Sequence, residues 1–131
     1  MAVDIVIEVE NKPGELAKLA AAVSDAGINL AAATFHGNGD RAELHILVPH
    51  AEPVRHALAI THADVHTHER EVVVVEVQDN PGVLADLTRQ IADAGVNIDT
   101  VYVATNNRVV FHSADIAGLR LALQGHESHL H

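Results

Sequence analysis

Asn11-Lys12-Pro13-Gly14-Glu15-Leu16, followed by Gly27-Ile28-Asn29-Leu30, decides the fold, because the chain carries this pattern twice. Sixty-eight residues further on stand Asp79-Asn80-Pro81-Gly82-Val83-Leu84 and Gly95-Val96-Asn97-Ile98. Eleven of the 28 positions from Glu8 to Phe35 are identical in Glu76–Val103, with no gap. The identities fall on Pro, Gly and Asn, which have backbone duties of their own, and self-likeness at a fixed period marks a repeated structural unit.

A strand precedes each turn. Val3, Ile5, Ile7 and Val9 alternate with Asp4, Val6 and Glu8, the period of a strand with one buried face, and Val73, Val75 and Val77 repeat it. A helix follows each turn, with Pro13 or Pro81 suited to its first position and Asn80 suited to cap it. Leu16, Leu19, Ala20 and Val23 form its apolar stripe, as do Leu84, Leu87, Thr88 and Ile91, and Gly27 or Gly95 ends it. Strands are expected over 28–35 and 96–103, hairpin turns at Gly37–Asp40 and Thr105–Asn107, and return strands over 41–48 and 108–112. Second helices open near Pro53 and after Ser113 as cap. A closing strand near Val65–Glu69 completes the first unit. The polar tail after Leu123 offers no equivalent, so the second unit is expected to lack its last strand.

This order predicts an α+β fold of two ferredoxin-like βαββαβ repeats, 1–70 and 71–131, each an antiparallel sheet with helices on one face. Units of this size have thin cores. Val6, Val72 and Val74 lie on the face away from the helices, and a homodimer is expected to cover them.

Composition narrows the function. The formal net charge of −10 disfavours nucleic acid and anionic membrane surfaces, both of which are bound through Lys and Arg. Two Phe, one Tyr and no Trp leave no stacking platform for single strands. The absence of cysteine removes thiol catalysis and disulfides. No apolar run approaches a membrane span and no basic leader opens the chain, so a cytoplasmic location is expected.

The two Pro-Gly turns, each with its Gly-Ile/Val-Asn-Leu/Ile partner, resemble the ACT domain, and the likeness covers nearly the whole chain twice. It implies a regulatory protein that binds a free amino acid or similar small ligand at an interface between units. The ligand would lie between the turn before the first helix of one unit and the second strand of its neighbour. The resemblance assigns contacts to Asn11 and Asp79 at the turns and to the backbones of Gly14, Glu15, Leu16, Gly82, Val83 and Leu84. It assigns further contacts to Ile28, Asn29, Val96 and Asn97 at the strand starts. The residues support this on their own account. A helix start offers unpaired N–H groups and partial positive charge to a carboxylate, and glycine leaves it open. An asparagine amide both donates and accepts, as a zwitterion requires. Asp79 breaks the match to Asn11, since a second carboxylate repels that of a ligand.

Plainer readings stand beside these. The turns can serve only to start helices, Asn29 and Asn97 only to tie down loops, and the surfaces only to dock a partner enzyme or regulator without ligand. His45 and His112 occupy matching places on the return strands, as proton-sensing groups or as sheet-face residues kept through duplication. His62, His66 and His68 form one group and His126, His129 and His131 a second at the tail, the latter with no carboxylate or thiol arranged around it, and neither a metal nor any other cofactor is expected. No serine has a nucleophile-elbow context and no glycine-rich phosphate loop follows a strand, so no catalysis is expected.

Overall fold

The computed structural model describes residues 2–61, 65–78 and 80–128. The elements run β1 (Ala2–Glu10), α1 (Glu15–Asp25), β2 (Ala32–Asn38), β3 (Arg41–Val48), α2 (Glu52–Thr61), β4 (His66–Glu76), α3 (Val83–Asp93), β5 (Thr100–Ala104), β6 (Arg108–His112) and α4 (Ile116–Ala122). Two compact units divide near residue 70, and β4 carries the chain from one into the other.

In the first unit the strands lie in the order β2-β3-β1, with β3 antiparallel to both neighbours. Ile5, Ile7 and Val9 of β1 meet Leu44, Ile46 and Val48 of β3 on one face, where α1 contributes Leu19, Ala22 and Val23 and α2 contributes Val54 and Leu58. The period-2 alternation thus does what it predicted: odd positions of β1 build the core and even positions turn away. The second unit repeats the plan in the order β4-β6-β5. Its core joins Val73, Val75, Val109 and Phe111 to Leu87, Ile91, Leu119 and Leu123. As expected, no fourth strand closes it among the described residues. A single bridge joins Glu127 to Val75, and Arg120 holds the approach by pairing with both Glu71 and Glu127 (3.2 Å each).

Four local expectations are corrected. The helices α1 and α3 start later than proline at the first position would place them. Gly14 (φ 90°, ψ −13°) and Gly82 (φ 89°, ψ −9°) are the N-caps, and the Glu15 and Val83 amides reach back to Lys12 and Asn80 carbonyls at 3.4 Å. Pro at the second and Gly at the third place of such a turn make a type II geometry, which explains the dipeptide better than helix initiation does. Asn80 accordingly does not cap; its amide donates to Gln78 Oε1 (3.1 Å). The strands β2 and β5 begin at Ala32 and Thr100, so Asn29 and Asn97 stand in loops ahead of them. Helix α4 is capped by Asp115, whose Oδ1 accepts from the Gly118 amide (3.0 Å), while Ser113 is buried and accepts from the Asp115 amide.

Because Gly14 and Gly82 sit at positive φ with open space where a Cβ would stand, alanine there strains only the backbone. Gly14→Ala and Gly82→Ala are each expected to lose about 1–2 kcal/mol in urea melts, with unchanged m-values.

Val6, Val72 and Val74 are already buried within one chain, so they do not call for a second copy as the sequence suggested. The large apolar side chains left exposed lie elsewhere, and they matter for the site.

Candidate ligand site at the helix mouths

Each Pro-Gly turn delivers a helix start with no side-chain cap. Lys18 and Asp86 make the first helical bonds, to the Gly14 and Gly82 carbonyls (3.1 and 2.9 Å). The amides before them, of Leu16 and Ala17 in α1 and of Leu84 and Ala85 in α3, have no acceptor among the described residues. Such groups, with the positive end of the helix dipole behind them, suit a carboxylate.

Asn11 is fixed beside the first of these mouths. Its backbone N–H donates to the Asp40 carbonyl and its Nδ2 to the Gly39 carbonyl, both at 2.9 Å. The carboxamide lies over Gly37, where a Cβ would come within 2.7 Å of Nδ2. Gly37 pairs with Ala42, a core residue, so Asn11 occupies the helix side of β2 and ties the turn to the hairpin. Asp79, its counterpart, lies outside the described residues, as do His62, His129 and His131.

Leu16 (41% exposed) and Leu84 (46%) were expected in the helix stripe; instead the cores take Leu19, Ala22 and Val23, or Leu87 and Ile91. Beside them in the exposed apolar set stand Phe35 on β2 and Val101 and Val103 on β5. Phe35 pairs with Leu44, Val101 with Phe111 and Val103 with Val109, all core residues, which puts the exposed side chains on the helix side of each unit's edge strand. Glu15 is half-buried and takes Lys18 at 3.4 Å, and Val83 packs partly against the second core.

The asparagines differ. Asn29 is exposed and lines an open concavity of about 320 Å³ with Ser24, Gly27, Ile28 and Leu30. Asn97 donates to Asp99 Oδ1 (3.0 Å), and Asp99 Oδ2 accepts from the Ala114 amide (2.8 Å), while Val96 is buried. Ala31 stands where repeat two has Asp99, so this local tie exists in one copy alone. Within a unit the mouth and the asparagine sit at opposite ends of an eleven-residue helix, about 16 Å apart. One unit therefore does not bring them together.

The sequence reading missed a buried ion pair. Asp4, read as a solvent-side position, is 0% exposed, and its Oδ2 takes Arg70 Nη2 at 2.9 Å and His45 Nδ1 at 3.0 Å. Arg70 Nη2 also lies 3.3 Å from His45 Nδ1, so the three groups form one cluster. His112 also uses Nδ1, toward the Glu71 carbonyl (2.9 Å). Nothing local in the sequence marks Asp4, because Arg70 lies 66 residues away.

The ACT domain profile matches residues 3–66 and 71–124. Among solved structures, a protein from Bacteroides thetaiotaomicron superposes with a TM-score of 0.83 at 26% identity, covering 93% of this chain and 85% of that one. The regulatory subunit of aspartate kinase from Thermus thermophilus gives 0.65 at 23% identity, covering 94% and 90%. That from Thermus flavus gives 0.64 at 21%, covering 94% and 91%. A search of curated protein sequences gives no match. Among the described residues no helix is long and apolar enough to cross a membrane.

Proposed function

We propose, from the premise that this chain belongs to the ACT domain family, that it is a non-catalytic regulatory protein which binds a free amino acid where units meet. The repeats are taken as 1–70 and 71–131. The observation that carries this reading is the uncapped start of α1 and of α3, built the same way in both copies. The ligand carboxylate docks on the Leu16 and Ala17 amides beside Asn11. Its ammonium meets the carboxamide oxygen of an Asn29 from a second copy, since one unit holds the two features about 16 Å apart. Phe35, Val101, Val103 and the two motif leucines supply the apolar contact that holds the copies together as a homodimer. The first repeat is the stronger site, because Asn97 is already engaged by Asp99.

A melting scan against the twenty amino acids tests this. A ligand at a hundred times its dissociation constant stabilises by about 2.7 kcal/mol, or roughly 10 °C for a protein of this size. Asn29→Ala is expected to abolish the shift and Asn97→Ala to spare most of it. If no amino acid moves the transition, the reading fails.

A second reading has its own support in the Asn97–Asp99 tie. Repeat two then binds no ligand and serves for assembly or for docking on a partner enzyme or regulator. Solution mass and ligand binding with and without the Val103→Asp substitution test this role: loss of the dimer, and with it of the ligand site shared between copies, assigns repeat two to assembly, and an unchanged mass contradicts it.

A further inference from the structure

Asparagine is a chemically labile residue, most of all before glycine, and the chain has that dipeptide once, at Asn38-Gly39. The other asparagines are followed by Lys12, Leu30, Pro81, Ile98, Asn107 and Arg108. Asn38 ends β2, and Gly39 opens the two-residue turn into β3, with Asn38 and Arg41 as register partners. Both residues of the dipeptide are exposed. Gly39 stands at φ 69° with open space where a Cβ would be, and its N–H has no acceptor among the described residues. In the first unit's sheet β2 is the edge strand, with β3 as its neighbour.

We propose that Asn38 is a site of spontaneous deamidation, and that its isoaspartate product releases the turn that holds Asn11. The Gly39 nitrogen attacks Cγ of Asn38. A bond forms between them, the Cγ–Nδ2 bond breaks, and ammonia leaves with the proton of the Gly39 amide. Water then opens the resulting succinimide. Opening at the side-chain carbonyl leaves aspartate on an ordinary backbone. Opening at the main-chain carbonyl leaves isoaspartate, whose backbone runs through Cγ and is one carbon longer. Water is the sole co-reactant. The neighbours make the step selective: Pro81 has no N–H to attack with, and side chains on the other following residues crowd an approach that glycine leaves clear.

The two products act differently. An aspartate at position 38 sets a carboxylate across from Arg41, a favourable cross-strand pair, and leaves the register alone. Isoaspartate inserts its extra carbon immediately before Gly39. The Gly39 and Asp40 carbonyls accept from the Asn11 carboxamide and backbone N–H, both at 2.9 Å, and the same carboxamide lies over Gly37. A lengthened backbone between Gly37 and Gly39 therefore displaces the acceptors that fix Asn11, and with them the Pro-Gly turn ahead of α1. Any effect on an amino-acid ligand rests on the function proposed above; the modification and the release of Asn11 do not.

The test keeps the whole folded chain for days at mildly alkaline pH beside a sample unfolded in urea. Both are mapped by peptide mass spectrometry, with aspartate and isoaspartate peptides separated by chromatography. In the folded chain Asn38 is expected to convert at least tenfold faster than any other asparagine, and Asn38→Gln to abolish conversion there. In amide spectra of the ¹⁵N-labelled chain, the purified isoaspartate form is expected to displace the Asn11 side-chain resonance, and Asn38→Asp to leave it in place. Conversion of Asn38 in urea but not in the folded chain overturns the site, because the hairpin then protects it. An Asn11 resonance that stays fixed in the isoaspartate form, or moves as far in Asn38→Asp, overturns the coupling. Neither readout depends on whether an amino acid binds.

Discussion

Arg70→Met is expected to cost about 3–5 kcal/mol of folding stability, a large share of the 5–15 kcal/mol that domains of this kind possess. The reason is asymmetry. Asp4 is fully buried with Arg70 Nη2 at 2.9 Å and His45 Nδ1 at 3.0 Å, and removing the guanidinium leaves a carboxylate out of water without its cation. Desolvating an unpaired charge costs far more than a well-made pair returns. The double variant Asp4→Leu/Arg70→Met removes both charges and is expected to recover most of that loss. Urea melts of the two single variants and the double variant close the cycle. Equal and additive losses would show that the pair does not act as a unit.

Phe111→Ala is expected to cost about 3–5 kcal/mol as well, by a different route. Phe111 heads the fully buried side chains, and it lies between Val73 on β4 and Val101 on β5 in the ladder. The core around it is made of Val, Leu and Ile without a second ring, and β-branched neighbours fixed in a sheet do not move in to fill the space. Phe35→Ala is the control. That ring is partly exposed on an edge strand, so its loss should change the melting temperature of the isolated chain little while weakening the proposed dimer. Denaturant midpoints at low and high protein concentration distinguish the two effects.

The repeat made the architecture legible, because Pro-Gly turns and alternating valines are local statements about backbone and burial. Strand β3 and strand β6 begin and end where the hairpin residues place them. Asn106 (φ 61°) and Asn107 (φ 56°) take the left-handed conformations that asparagine tolerates best among residues with a side chain. Helix starts were less legible, since Pro-Gly serves a type II turn as readily as a first helical turn, and the sign of φ at Gly14 separates the two. Leu16 and Leu84 fit a helix stripe by spacing, but they stand in the first turn and remain exposed, while the buried sets begin at Leu19 and Leu87. The polar side of the sheet was least legible. Asp4 and Glu8 both occupy even positions on β1, yet one is sealed with Arg70 and the other faces an open cavity across from Glu43. Which outcome holds depends on residues far along the chain, and no local pattern carries that information.

The claim at the centre of this account is that bare amides at the mouths of α1 and α3 hold the carboxylate of an amino acid. The direct measurement is a titration of the ¹⁵N-labelled chain, with each of the twenty amino acids, followed by amide resonances. The account predicts saturable displacement of the Leu16 and Ala17 amides, together with the Asn29 side-chain amide, and a weaker response at Leu84 and Ala85. Resonances at those positions that stay fixed under every amino acid, or that move only for residues lining the far face of the sheet, would contradict it.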